Sequence, residues 1–249
     1  MTVAAGVFLL LPGDVRHKAH AVLQGLCAQR PSHSFRFSGQ PLPVDARMTG
    51  IYLGAASSLL WFLPLCRARC SGRFTRGAWL LLTLSIGVMA LDGLNSLAAD
   101  LAIPTPYAST NLTRLVTGQL AGVAIGAALS HLATISLTHR PRGGWSAAPA
   151  YTLAAPLAGG ATVCALAASG LPPLALPYTC LLVASALAAL WAMTSVVTAL
   201  VLRRGWGFAS ARQRDETLAI AFVSACALLV GLAAWRGLLE QLTGQMRLS

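Results

Sequence analysis

The sequence predicts an all-α fold, a polytopic integral membrane bundle of about six transmembrane helices. Three observations predict it. Of 249 residues, 56% are hydrophobic and only 10% are charged, against roughly 25% charged in a soluble domain. Several separate apolar runs approach the roughly 20 residues that a helix needs to cross the hydrocarbon core. The basic residues behind the net charge of +11 fall in short clusters between those runs, which is where membrane orientation needs them. A single-span or peripheral protein is excluded by the number of runs. Nucleic acid is not an expected partner; the lipid bilayer is.

The predicted spans cover about 50 to 66, 78 to 99, 112 to 137, 148 to 170, 174 to 202 and 217 to 239. The fourth, within APAYTLAAPLAGGATVCALAASG, carries prolines and glycines that a membrane helix tolerates only where neighbours satisfy the freed backbone groups. Two regions follow: an N-terminal interfacial segment, 1–48, and a transmembrane helical domain, 49–249. Within the first, TVAAGVFLLLPGD lacks the basic n-region and small-residue cleavage site of a secretory signal and reads as an uncleaved interfacial segment. VRHKAHAVLQGLCAQ reads as a short amphipathic helix at the membrane surface, with basic and His side chains toward water.

Orientation follows from Lys and Arg near the spans. Arg67, Arg69, Arg73 and Arg76 follow the first span, Arg140 and Arg142 the third, and Arg203, Arg204, Arg212 and Arg214 the fifth. The intervening connections at about 100 to 111 and 171 to 173 carry none. The positive-inside rule therefore places the basic loops in the cytoplasm and both termini outside an inner (plasma) membrane. Arg16, Lys18, Arg30, Arg36 and Arg47 give the exterior segment a basic load that works against this assignment.

The stretch RMTGIYLG, Arg47 to Gly54, is echoed by RLVTGQLAG, Arg114 to Gly122. Gly50, Gly54 and Ser58 in the first span, and Gly118, Gly122, Gly126 and Ser130 in the third, form ladders of small residues at four-residue spacing. Such ladders let membrane helices approach closely. Both spans run in the same direction, so Arg47 and Arg114 fall at the same outer interface, snorkelling to headgroups or turned inward. In the second span, LDGLNSLAAD puts Asp92 and Asn95 on one face with Ser96 beside them. An Asp within a span costs about 2.5–3.5 kcal/mol on insertion scales and faces a partner or a wet cavity. Arg114 begins the next helix on the same side, so an Asp92–Arg114 pair is expected, within a polar cluster of Arg47, Asp92, Asn95 and Arg114. That cluster is either a binding site or a buried ion pair that fixes helix register and binds nothing.

The remaining features are weaker. Of six cysteines, most sit inside or at the ends of spans and pack as small apolar residues; Cys66 and Cys70 have no histidine nearby and make a poor zinc site. His131 in the third span is a relay candidate or a packing histidine. The tryptophans partly mark span ends. Asn111-Leu112-Thr113 matches a glycosylation acceptor, but Asn111 is better placed to cap the third helix. No phosphate-binding glycine loop, H-E-x-x-H or nucleophile elbow is present.

The run CAQRPSHSFRFSGQPLPVDARMTGIYLG, Cys27 to Gly54, together with Asp92, Asn95, Arg114, Thr117 and Gly118, resembles a bacterial and archaeal family of predicted membrane proteins classified as a domain of unknown function. Its pattern reads C-H-Q-x-P-x-R-S-F, then C-A-R-C-T-G-I-Y-x-G, then D-x-x-N and R-x-x-T-G. The resemblance covers about residues 25 to 125 and implies a Cys-His pair and a Cys-x-x-Cys of the kind that holds zinc. Here those positions are Cys27 with Ala28, and Asp45 with Met48. Cys27, Asp45 and Met48 are a poor ligand set even with His33 nearby, so no metal or other cofactor is expected. The best-supported role is an accessory or scaffold subunit of a membrane assembly, packed against other membrane subunits. A transporter or lipid-handling protein using Asp92 and Arg114, and a degenerate metal enzyme, are the alternatives; catalysis has no positive sequence support.

Overall fold

The computed structural model describes residues 14–37, 39–69, 73–137, 147–148, 153–202 and 211–246. The apolar stretch before Asp14, Cys70, and the loop residues Arg140, Arg142, Trp145, Arg203, Arg204 and Trp206 lie outside the described residues, as do the side chains of Cys66, Arg67, Arg69 and Arg73. Helix α1 (Val15–Leu23) leads through a 3-10 turn (Pro31–His33) to a small antiparallel hairpin, β1 (Arg36–Phe37) and β2 (Gln40–Pro41). Five further helices run up and down after α2 (Ala46–Arg69): α3 (Arg76–Asp100), α4 (Asn111–Leu137), α5 (Ala154–Ser169), α6 (Ala175–Val201) and α7 (Ala211–Met246). Strand β3 (Arg73–Phe74) pairs in parallel with β4 (Ala147–Ala148).

Among the described residues, four helices are long and apolar enough to cross a membrane: Arg76–Asp100, Asn111–Thr134, Pro172–Val201 and Arg212–Thr243. The fold is therefore an all-α bundle with four such helices rather than an established six. Helices α2 and α5 stand outside this set. Helix α5, with 16 residues, rises only about 24 Å at 1.5 Å per residue, short of the roughly 30 Å hydrocarbon core. Helix α2 has 24 residues and is central to the bundle, with Thr49, Leu53, Ala55, Ser58, Leu59 and Phe62 all buried.

The α2–α4 pair is the axis of the bundle. The two helices are parallel and their backbones nearly touch. A Cβ built on Gly118 would meet the Arg47 carbonyl oxygen at 2.2 Å, one on Gly122 the Ile51 oxygen at 2.3 Å, and one on Gly126 the Ala55 oxygen at 2.4 Å. The relation is reciprocal, because Gly50 faces the Leu115 oxygen at 2.3 Å and Gly54 the Gln119 oxygen at 2.5 Å. Ser58 Oγ then donates across the seam to the Val123 carbonyl at 2.9 Å. Without apolar solvation to drive helices together in lipid, this close van der Waals contact is what holds them.

Residues 14–45 fold over the end of the bundle where α2 and α4 begin and α3 ends. Phe37 stacks on Tyr178 of α6, with ring centroids 5.7 Å apart, and Leu23, Leu42 and Val44 are buried in the same apolar cluster. Lys18 is buried as well, so α1 does not turn every basic side chain to water but docks on α6 and α7. Arg236 of α7 fastens this cap. Its Nη1 donates to the Gln24 carbonyl at 2.7 Å and to the Cys27 carbonyl, and its Nη2 to the Ala28 carbonyl at 3.2 Å. Gly25 lies so close to the α7 backbone that a Cβ would be 2.4 Å from the Leu232 carbonyl carbon. Arg236→Ala is expected to release the cap while leaving the helices intact, so trypsin should cut after Arg36, which is followed by Phe37, several-fold faster with unchanged far-UV circular dichroism; an unchanged cleavage rate would mean that the clamp does not hold the cap.

Candidate functional site

Helix α3 is attached to the bundle by few residues. Its buried positions are Ala78 and Leu82 at one end and Asp92, Asn95 and Ser96 toward the other. Leu84, Leu91 and Leu94 on its remaining surface are 55%, 69% and 63% exposed, as suits a lipid-facing helix. The polar half of that attachment is built around the Asp92 carboxylate, which is 1% exposed. Oδ1 accepts from the Tyr107 hydroxyl at 2.8 Å and the Ser109 hydroxyl at 3.0 Å; Oδ2 accepts from Arg47 Nη2 at 2.5 Å and Thr117 Oγ1 at 3.3 Å. Arg47 Nη2 also donates to Ser96 Oγ at 3.0 Å, and Asn95 Nδ2 donates to the Tyr107 carbonyl at 2.9 Å. The carboxylate is fully satisfied, which is the condition for keeping one buried.

The cation beside Asp92 is thus Arg47 and not Arg114, against the expected pair. Arg47 reaches it because the α2–α4 contact brings the first turn of α2 against α3, whereas Arg114 turns the other way. Its Nη1 donates to Asn111 Oδ1 at 3.2 Å. Asn111 accordingly does not cap α4. Thr110 does, accepting the Thr113 N–H on its Oγ1 at 3.2 Å while Thr113 Oγ1 accepts the Thr110 N–H at 2.9 Å, a reciprocal capping arrangement.

A cavity of about 230 Å³ opens beside this network, between the cap, α3 and the starts of α2 and α4. Arg30, His33 and Asp45 line it from the cap, Arg47 and Arg114 from α2 and α4, and Gly93, Ser96, Leu97 and Asp100 from α3. Arg30 is paired with Asp100 at the mouth and Arg47 with Asp92. Arg114 is 8% exposed, and among the described residues no carboxylate lies within ion-pair distance of it. Buried Nε atoms of both Arg47 and Arg114, and the buried Oδ1 of Asn95, make no hydrogen bond. Neither α2 nor α4 has an acidic residue in its first turn, and each carries an arginine there. Helix N-termini behave as about half a positive charge, so two N-termini and their arginines concentrate positive potential on one wall. His33 is held below the usual histidine pKa by partial burial and by the Arg114 charge, which keeps it neutral near pH 7.

The cap half of the motif is structural. Gln29, with φ of 54°, takes a left-handed conformation that costs a non-glycine residue energy, and its side-chain amide donates to the His20 carbonyl at 2.8 Å and the Pro43 carbonyl at 2.9 Å. The first ties the CAQRP stretch to α1 and the second joins it to PLPVDAR. They also seat Cys27, whose Sγ accepts the Asp45 N–H at 3.2 Å. Burial pushes the Cys27 thiol up to about 11, away from the thiolate that a metal needs. Asp45 Oδ1 accepts the Arg30 N–H at 3.3 Å, and Met48 packs against the apolar cluster. No group of three or more His, Cys, Asp or Glu side chains that could hold a metal ion occurs among the described residues.

Tyr107, Ser109, Arg30 and Asp100 were not singled out by the sequence reading. A polar connection, PTPYASTN, following a helix that ends in carboxylates is a signal that can find the first two. The Arg30–Asp100 pair joins residues 70 apart and leaves no local signal.

Residues 27–128 match the family described as Predicted membrane protein (DUF2085). An uncharacterized protein of Methanothermobacter thermautotrophicus is 30% identical over 102 residues, which are 40% of this chain and 80% of that protein. The chain belongs to this family. No solved structure matches it. The residues matched to the family run from the cap through α2, α3 and most of α4, so every residue lining the cavity lies within them. Helices α5 and α6 follow as a flank packed on α2 and α4, and α7 packs on α6.

Proposed function

We propose that this is a multi-pass plasma-membrane protein that binds a polar group in the cavity under its cap, in the manner of a carrier or lipid-handling protein. In this reading α2 and α5 cross the bilayer with the four longer helices, α5 by local thinning of the membrane, and the capped end faces outward. Arg114 is the observation that carries the reading. A buried, always-charged guanidinium is costly unless it is paired, and this one lines a cavity with only a neutral amide for a partner. A salt bridge serving register alone accounts for Arg47 and Asp92 but not for Arg114.

Gly93 offers the test. A Cβ there would meet only Arg47 Nη1, at 3.6 Å, so Gly93→Leu fills cavity space without a backbone clash. Native mass spectrometry of the gently solubilised chain is expected to find a small non-protein adduct on the wild type that is lost in Gly93→Leu. Equal spectra for the two proteins would sink the reading. The accessory-subunit alternative draws support from the broad unburied face of α3; additional protein mass at fixed stoichiometry, with no small adduct, would favour it instead.

A further inference from the structure

We propose that the group bound under the cap is a phosphate, as carried by a phospholipid headgroup or by free phosphate, and that Arg114 is its principal contact. This rests on the ligand-site reading above and specifies its chemistry. Arg114 sits in the first turn of α4, where the helix dipole favours an anion and disfavours a cation. A bound anion relieves both costs together, pairing the guanidinium and meeting the positive helix end. Arginine presents a planar fork of donors suited to phosphate oxygens. Arg30 and Arg47 face the same space from the cap and from α2. Each is already paired with a carboxylate, so they add directional donors more than net charge. A tetrahedral phosphate has oxygens for several such donors, whereas a carboxylate has two. The cavity also lies where α3 ends, with Leu94 and Leu101 outside it both 63% exposed, at the depth where lipid headgroups meet apolar helix.

Two lining carboxylates oppose an anion, and one of them, Asp100, is paired with Arg30. The other, Asp45, accepts the Arg30 N–H and has no cation within ion-pair distance among the described residues. It faces the cavity and repels a phosphate there. Its replacement by asparagine keeps a residue that is equally good before a helix and removes the repulsion.

The test uses thermal unfolding of the full chain in dodecyl maltoside. It is titrated with inorganic phosphate at constant ionic strength, and separately with mixed micelles of phosphatidylglycerol or of diacylglycerol. A phosphate source is expected to raise Tm while diacylglycerol does not, with apparent affinity at least tenfold weaker in Arg114→Gln, a few-fold weaker in Arg114→Lys, and tighter in Asp45→Asn. A response to phosphatidylglycerol alone assigns a lipid headgroup; a response to inorganic phosphate alone assigns a soluble anion. Because Arg114→Gln can itself unsettle the fold, the Asp45→Asn and Arg114→Lys responses are read independently of it. The proposal is overturned by phosphate binding indifferent to all three substitutions, by an equal response to diacylglycerol, or by no response to either phosphate source. In that last case an adduct lost in Gly93→Leu leaves the ligand site standing with a different ligand, and no such adduct removes both.

Discussion

Gly122→Val is expected to prevent assembly of the bundle, giving little monodisperse protein and, for whatever folds, a Tm far below that of the wild type. The Cβ alone would stand 2.3 Å from the Ile51 carbonyl oxygen and 2.8 Å from its Cα. Both are backbone atoms of a helix packed on its other side by α5 and α6, so neither can swing away as a side chain would. Forcing extra volume into a packed core costs about 1–3 kcal/mol where side chains can adjust, and a backbone-to-backbone clash belongs at or beyond the top of that range. The matched control is Gly87→Val on α3, where an added Cβ meets nothing within 4 Å. A Tm for Gly122→Val within a few degrees of that control would contradict the close α2–α4 seam.

Asp92→Ala is the second large effect. It leaves Arg47 without its counter-ion and deprives Tyr107, Ser109 and Thr117 of a shared acceptor. Breaking a buried ion pair by removing one partner costs about 3–5 kcal/mol, because the other charge stays behind unpaired. Here the loss also loosens α3, whose other buried positions are Ala78, Leu82, Asn95 and Ser96. Replacing both partners by apolar residues, Arg47→Met with Asp92→Leu, is expected to recover part of that stability. Unfolding of the two single variants and the double variant measures the coupling; strictly additive losses would mean that the pair does not act as a unit.

The sequence made the bundle and its seam legible because both are repeating signals. Apolar runs of membrane length, and glycines four apart in two parallel helices, survive without tertiary information. It also brought Arg47, Asp92, Asn95 and Arg114 to one end of the molecule, since helix direction follows from counting spans. What it could not supply was pairing within that end. Arg114 is nearer Asp92 in the chain than Arg47 is, yet the carboxylate goes to Arg47, because the glycine contacts fix how far α2 slides along α4 and so which guanidinium arrives. Asn111 as helix cap failed for a related reason. Thr110 and Thr113 satisfy the helix end between them, which leaves the Asn111 amide to Arg114 and to the Ser32 carbonyl at 3.4 Å. The cap itself had no periodic signal: Arg236 contacts Gln24, Cys27 and Ala28 from more than 200 residues away.

That arrangement gives the cavity its asymmetry: Arg47 is spent on Asp92, while Arg114 lines the space with its charge uncompensated. The most direct measurement is a cryo-electron microscopy map of the full chain in nanodiscs containing phosphatidylglycerol, compared with the Gly93→Leu variant. The account predicts density for a bound group against the Arg114 guanidinium, absent from the variant, with Arg47 on Asp92 in both. Arg114 closed onto Asp45 in an ion pair, with the cavity collapsed around it, would contradict it.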